Sequence, residues 1–168
     1  MQTNHLPKWD QSDKPTGCCP RFKPDGWDGQ ALHLSDKAFV RADTRSAFHI
    51  PLNMGRVFDR VLRHLDQAGA VDTDDYIVLS RDMSPWKSEH YFAVQKPVPG
   101  EQNATLSGDF VTKVFEGPFR DAGKWHAAMS AEIRARGKEP SDIFFFYTTC
   151  PKCARIYGKN YVVGVGRV

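Results

Sequence analysis

Four cysteines fall as two close pairs, Cys18-Cys19 and Cys150-x-x-Cys153. Two thiolates at C-x-x-C spacing can chelate one zinc ion, because a tight loop points both sulfurs the same way. Adjacent cysteines do this less easily, since their side chains diverge. The irregular string TGCCPRF accommodates the turn they need. Four thiolates round one zinc fill a tetrahedron and leave no position for water, so such a site is structural and not catalytic. It would staple the start of the chain to the segment before its last strand. Lys152, Arg155 and Lys159 flank the second pair and would offset thiolate charge, or lower the pKa of a free thiol. Two other readings stay open: a reactive thiol or dithiol, and inert cysteines packed as small hydrophobes. A redox C-x-x-C normally opens a helix after a strand. Here the segment reads as a short loop leading to a strand, which weakens the redox reading.

His49 stands at the end of the strand-like FHI, just before Pro51 and the cap of a predicted helix. A helix N-terminus disfavours imidazolium, so a neutral His49 could shuttle protons; a hydrogen-bonded structural histidine is the plainer reading. No nucleophile elbow, P-loop or HExxH string occurs, and no organic cofactor is expected.

The elements that position these groups read as follows. Residues 1–30 hold Pro7, Pro15, Pro20 and Pro24 with Gly17, Gly26 and Gly29 between them, which forbids regular helix and disfavours central strand. The same stretch carries Trp9, Phe22 and Trp27, so it reads as an irregular arm packed on the domain by its rings. ALHL and AFVRADTRSAFHI are strand-like. Met54, Val57, Phe58, Val61, Leu62 and Leu65 form one face of an amphipathic helix, with Asn53 placed to cap it and Gly69 to end it. YIVLS (76–80) and HYFAV (90–94) follow as strands, joined by a loop containing SPW. The order then returns. Residues 105–115 read as a strand and Gly117-Pro118 as a break. Asp121 can cap a helix with Ala122, Trp125, Ala128, Met129 and Ile133 on its apolar face, and Gly137 can end it. IFFFY (143–147) and YVVGVGRV (161–168) close the chain as strands.

Pro51 and Pro118, Gly69 and Gly137, and Tyr91 and Tyr161 correspond, at offsets of 67, 68 and 70 residues by subtraction of those positions. The expectation is an α+β fold of two pseudo-twofold strand–helix–strand–strand repeats. They would form a mostly antiparallel sheet with two helices on one face. The arm is 1–30 and the single domain 31–168, with repeat one at about 38–98 and repeat two at about 105–168.

Composition excludes several classes. At 168 residues, 40% hydrophobic and 26% charged, the chain suits one globular domain. A net charge of +3 without a Lys/Arg stripe argues against nucleic acid. No run approaches the roughly 18 apolar residues of a membrane span. The polar N-terminus MQTNHLPKWDQSDKP lacks a signal-peptide apolar stretch, so a cytoplasmic location is expected, as a monomer or homodimer.

VFEGPFRDAGKW, a helix to RARG, FFFYTTC and the closing YVVGVGRV together resemble the GyrI-like small-molecule-binding domain, the superfamily of BmrR-type effector-binding domains. The resemblance covers about residues 38–168. It is looser in the first half, which has Pro51 but no Gly-Pro-aromatic. The chain also resembles a smaller group of short stand-alone chains, loosely named hydrolase, that share CCP, FHIPLN, SPW and FYTTCPKCA-x-x-YGKNYVV. The broader family has no such cysteines.

The resemblance implies that a small, apolar or cationic organic molecule binds between the two halves, in an aromatic pocket with a carboxylate inside. Some members of the superfamily hydrolyse strained cyclic molecules with a pocket Tyr and Glu. On this sequence Glu116 and Glu89 are the candidate carboxylates and Tyr147 the partnering hydroxyl. Glu116 ends the VFEGPF strand, and Glu89 begins HYFAV. A carboxylate among aromatics loses hydration, its pKa rises, and it can serve as an acid or base. The plain alternative for Glu89 is a solvated strand end. His49, Trp86, Tyr91, Phe119, Trp125 and Phe145 are the candidate ligand-binding residues, Trp86 as a wall or lid. Strand alternation puts Phe145 and Tyr147 on one face and Phe144 and Phe146 on the other. Most such rings in proteins are core. The readings that compete with a binding protein that also hydrolyses its ligand are a non-catalytic binder and a thiol- or zinc-responsive protein.

Overall fold

A computed structural model describes residues 2–168 and shows an α+β protein with antiparallel strands and three α-helices. The chain divides into two compact units. One spans residues 35–107, and the other combines the residues up to Leu34 with 108–168. No helix among the described residues is long and apolar enough to cross a membrane.

In the 35–107 unit the strands lie in the order β2 (Ile50–Pro51), β1 (Ala31–Ala47), β4 (Lys87–Ala93), β3 (Val78–Ser84), all antiparallel. The register sets Val40 opposite Phe92, Ala42 opposite His90 and Ser80 opposite His90. Paired residues point to one face and their neighbours to the other. Helix α1 (Met54–Ala68) therefore lays the buried Val57, Val61 and Leu65 against Val40, Ala42, Phe92 and Val94. Each of the valine, leucine and phenylalanine side chains contributes about 1.5–3 kcal/mol by leaving water. Gly69 ends α1 at φ 57°, as its position predicts, and donates to the Asp66 and Leu65 carbonyls. Asn53 precedes α1 but does not cap it with its side chain. Its Oδ1 instead accepts from the Arg45 N–H at 2.7 Å, tying β1 to the start of the helix.

Two tight turns shape one end of this unit. Ala47 pairs with Ile50, leaving Phe48 and His49 as a two-residue turn at φ 49° and 66°. Positive φ at both positions is the requirement of a type I′ hairpin, normally met by Asn-Gly. Ser84 pairs with Lys87, so Pro85 and Trp86 form the tip of the β3–β4 hairpin, after an irregularity between Asp82 and Ser84.

In the other unit the order is β6 (Ile143–Tyr147), β7 (Tyr161–Arg167), β5 (Gln102–Glu116), again antiparallel. Helix α2 (Ala122–Ala135) follows a 3-10 turn at Phe119–Asp121, and Asp121 makes no side-chain cap. Trp125, Met129 and Ile133 pack on Ile143, Phe145 and Val162, with Phe115 beside them. Gly164 and Gly166 let α2 approach closely. A Cβ at Gly164 would stand 2.6 Å from Met129 Sδ.

The arm covers the opposite face of this sheet. The rings of Trp9, Phe22 and Trp27 lie 5.3, 6.0 and 5.6 Å from that of Phe146. The Thr112 hydroxyl donates to the Trp27 carbonyl, and the Val114 N–H donates to Asp28 Oδ1 at 2.8 Å.

Three expectations are corrected. ALHL and AFVRADTRSAFHI belong largely to one 17-residue strand, which runs on through a left-handed Asp36 at φ 48° between them. The strand expected at 76–80 is Val78–Ser84. The segment after β6 is not a loop but helix α3 (Pro151–Tyr157), with Pro151 in its first turn and Gly158 at φ 70° ending it. Two turns are too short to show a helical period in sequence, but Pro at the start and Gly past the end are helix punctuation.

Candidate functional site

The four cysteine sulfurs lie within 4.8 Å of one another. The arm delivers Cys18 and Cys19, and the first turn of α3 delivers Cys150 and Cys153. Cys18 Sγ and Cys19 Sγ are 3.7 Å apart. Sulfurs at the corners of a tetrahedron with 2.3 Å zinc–sulfur arms stand about 3.8 Å apart, so this pair already spans one edge. The backbone orients the rest. Cys150 precedes α3 and accepts the Cys153 N–H on its sulfur at 3.5 Å, while the Cys150 N–H donates to Cys19 Sγ at 3.4 Å. Tyr157, at the end of α3, donates its hydroxyl to the Cys19 carbonyl at 2.6 Å. Thr16 Oγ1 bridges Tyr157 OH at 2.9 Å and Cys153 Sγ at 3.2 Å.

The thiols differ in acidity. The Thr16 hydroxyl lowers Cys153 to about 7, against the opposing effect of burial. Burial pushes Cys19 up to about 12, against the Cys150 N–H that lowers it. Cys18 is also raised. Its hydrogen bond with Cys19 acts downward but is outweighed by burial and by the charges of Cys150 and Cys153. Cysteine binds metal as thiolate, and a divalent cation among these sulfurs would draw their protons off. Four cysteine sulfurs this close could hold a metal ion, and soft thiolate donors are the kind that suit zinc.

The other residues singled out from the sequence are spread over both units. Glu89 is 4% exposed and is not a solvated strand end. Arg41 Nη2 reaches its Oε1 at 2.5 Å and Arg81 Nε its Oε2 at 3.0 Å. Buried Tyr91 donates to the same carboxylate at 3.4 Å. Burial, and then the Glu89 charge, raise the Tyr91 phenol. His49 is exposed at its turn, with Nδ1 2.8 Å from Asp82 Oδ2. Trp86 is 54% exposed, and its ring meets Phe48 at 4.9 Å. In the other unit Tyr147 is 41% exposed, with Phe119 at 6.1 Å and Phe145 at 6.3 Å. Trp125 is buried and stacks on Phe115.

Glu116 and Tyr147 are not brought together. Glu116 pairs with Tyr161, while Tyr147 pairs with Val162, as does Phe115. Adjacent β7 residues face opposite ways, so the exposed Glu116 lies on the face of Phe146 and Tyr147 on the face of Phe145.

The family model described as "Bacterial hydrolase" matches residues 9–168. The chain belongs to the bacterial hydrolase family. No curated protein matches it. The match begins within the arm, so both cysteine pairs fall inside the family's span.

One arrangement in this bacterial hydrolase family member has no counterpart in the sequence reading. His90 is 1% exposed, and both its ring nitrogens meet hydroxyls: Nε2 to Thr44 Oγ1 at 2.8 Å and Nδ1 to Ser80 Oγ at 2.7 Å. Burial lowers His90 to about 4, against the upward pull of Asp82, Asp43 and Glu89. The imidazole is therefore neutral at physiological pH. The only sequence signal was a histidine at an inward position of an otherwise apolar strand, HYFAV.

Proposed function

We propose that the protein hydrolyses a small organic substrate, and that a zinc ion bound by Cys18, Cys19, Cys150 and Cys153 holds its arm to α3. The observation that carries the metal half is the convergence of four sulfurs, from segments some 130 residues apart, to within 4.8 Å. Zinc supplies cross-linking here and not an activated water, because the thiolates take all four positions. The arm has little secondary structure of its own, so the metal would hold it to the rest of its unit.

The hydrolytic half is supported by the family. The small-molecule half is supported by the GyrI-like resemblance and by the half-exposed Tyr147 with Phe119 and Phe145 beside it, a surface suited to apolar or cationic ligands. Glu116 and Tyr147 would have to act from opposite faces of the strands, so they do not form one acid–base pair. Glu89, held by two guanidiniums, serves better to fix Arg41 and Arg81.

A second reading rests on one observation. C-x-x-C opens a helix directly after a strand, the placement a dithiol redox centre needs. Metal analysis of freshly purified protein separates the two. About one zinc per chain, with thiols that react only after chelation, is the expected result. Metal-free protein with a fast native thiol would replace the zinc centre by the thiol reading. Turnover across a panel of small esters, lactones and epoxides tests the hydrolytic half. Thermal stabilisation by these compounds without turnover would make the protein a binder.

A further inference from the structure

We propose that Thr44, His90 and Ser80 form an acyl-transfer centre for small carboxylic esters, in the groove at the start of α1. This rests on the hydrolase reading and gives it a site.

The sheet register brings the three together. Ser80 and Ala42 both pair with His90, and Thr44 lies two residues beyond Ala42. All three therefore point to the face that packs on α1. Phe58 of α1 covers the imidazole edge-on at 4.9 Å. The geometry is that of a nucleophile, a base and an orienting group. In the tautomer with its proton on Nδ1, His90 donates to Ser80 Oγ and accepts the Thr44 hydroxyl on Nε2. Burial keeps the ring unprotonated, and so able to accept, down to about pH 4.

Ser80 is the most exposed of the three at 8%, but it is Thr44 that lines the neighbouring groove. That groove, of about 590 Å³, is also lined by Leu52, Asn53, Trp86 and Lys87. Trp86 and Leu52 give the groove apolar walls for an acyl or alkyl group. At its end lies Asn53, whose Oδ1 is taken by Arg45, so α1 receives no side-chain cap. The N–H groups of the first turn of α1 are the donors nearest in sequence to this end, and such groups stabilise an oxyanion. Thr44 is 1% exposed, which restricts the substrate to small acyl groups.

The chemistry balances with water as the second substrate. Thr44 Oγ1 bonds to the ester carbonyl carbon while its proton passes to His90 Nε2. The bond to the alcohol oxygen then breaks, and that oxygen takes the proton from Nε2. Water next adds to the acyl carbon and gives a proton to Nε2. The Thr44–acyl bond breaks, Thr44 Oγ1 recovers the proton, and the acid leaves. Thr44 and His90 are the catalytic residues, and Ser80 is a positioning residue.

The experiment uses the full chain with p-nitrophenyl acetate, and a fluorophosphonate probe mapped by peptide mass spectrometry. We expect turnover, with label on Thr44. Thr44→Val should lose the label and at least 100-fold in kcat/KM, whereas Thr44→Ser should keep the label at residue 44. Ser80→Ala should move the acidic limb of the kcat/KM pH profile, which a merely structural serine would not do. If Thr44→Val does not fold, the position of the label in wild type and Thr44→Ser decides. Equal turnover by wild type and Thr44→Val, or label on another residue, would sink this site and leave the hydrolase reading standing. Neither turnover nor label in wild type would sink both.

Discussion

The buried imidazole of His90 gives a prediction whose sign and size come from the structure. In the unfolded chain His90 titrates near 6.5, and in the fold burial lowers it to about 4. Between those values the unfolded state binds a proton that the native state does not. Stability therefore falls with falling pH, starting near 6.5 and complete near pH 4. A difference of about two and a half pH units corresponds to roughly 3 kcal/mol. The burial that sets this cost is plain: the residue is 1% exposed, and Phe58 stacks edge-on against its ring. Protonation would also force both ring nitrogens to be donors, which Thr44 Oγ1 and Ser80 Oγ can each accept. The penalty is thus one of burying charge rather than of losing hydrogen bonds. The assay is urea unfolding at fixed temperature from pH 7.5 to 4, for wild type and His90→Gln. Subtracting the two curves removes the carboxylates and thiols they share. The wild type should lose about 3 kcal/mol more than the variant over that range. A difference that stays flat would mean that His90 is charged or solvated in the native protein, and the neutral-base argument would fail with it.

Three further outcomes follow from packing and charge. Gly164→Ala places a Cβ 2.6 Å from Met129 Sδ and should destabilise by about 1–3 kcal/mol, measured by urea unfolding, with partial rescue by Met129→Ala. Glu89→Gln leaves Arg41 and Arg81 facing a neutral amide and should cost about 3 kcal/mol in the same measurement; a cost near zero would show that solvent already screens the pair. Replacing Phe48-His49 by Asn-Gly should raise the melting temperature, by roughly 1–2 kcal/mol of stability, since both positions have positive φ. No gain would mean that the ring contact between Phe48 and Trp86 outweighs the backbone strain.

Local signals were legible in the sequence and register was not. Helix α1 could be read because its apolar residues repeat over four turns and Gly69 closes it. Helix α3 escaped because seven residues show no period. The C-x-x-C within it pointed to shared chemistry, but only the path of the arm brings Cys18 and Cys19 to it. The same limit explains the carboxylates. Whether Glu116 and Tyr147 share a face depends on how β5 and β6 each pair with β7, and a shift of one residue in either would reverse the answer. Glu89 was open to a solvated reading, because Arg41 and Arg81 come from different strands that meet it only through register. The His90 relay is hidden from the sequence for the same reason: its partners lie 46 and 10 residues away, on β1 and β3.

On the proposed reading, the cysteines would hold the arm and the His90 relay would carry the chemistry. A metal enclosed by four thiolates has no position for water, so it can hold an arm in place but cannot generate a nucleophile. On the proposed reading, hydrolysis would draw on a base that is neutral at working pH and next to a hydroxyl. His90 meets that condition, because the burial that lowers its pKa also fixes its ring between Thr44 and Ser80. The clustered cysteines and the buried histidine lie in different units of the chain. Serine substitutions in the cysteine cluster and isosteric substitutions at Thr44 should therefore have separable effects. The former should lower stability and metal content, and the latter should abolish turnover at unchanged metal content.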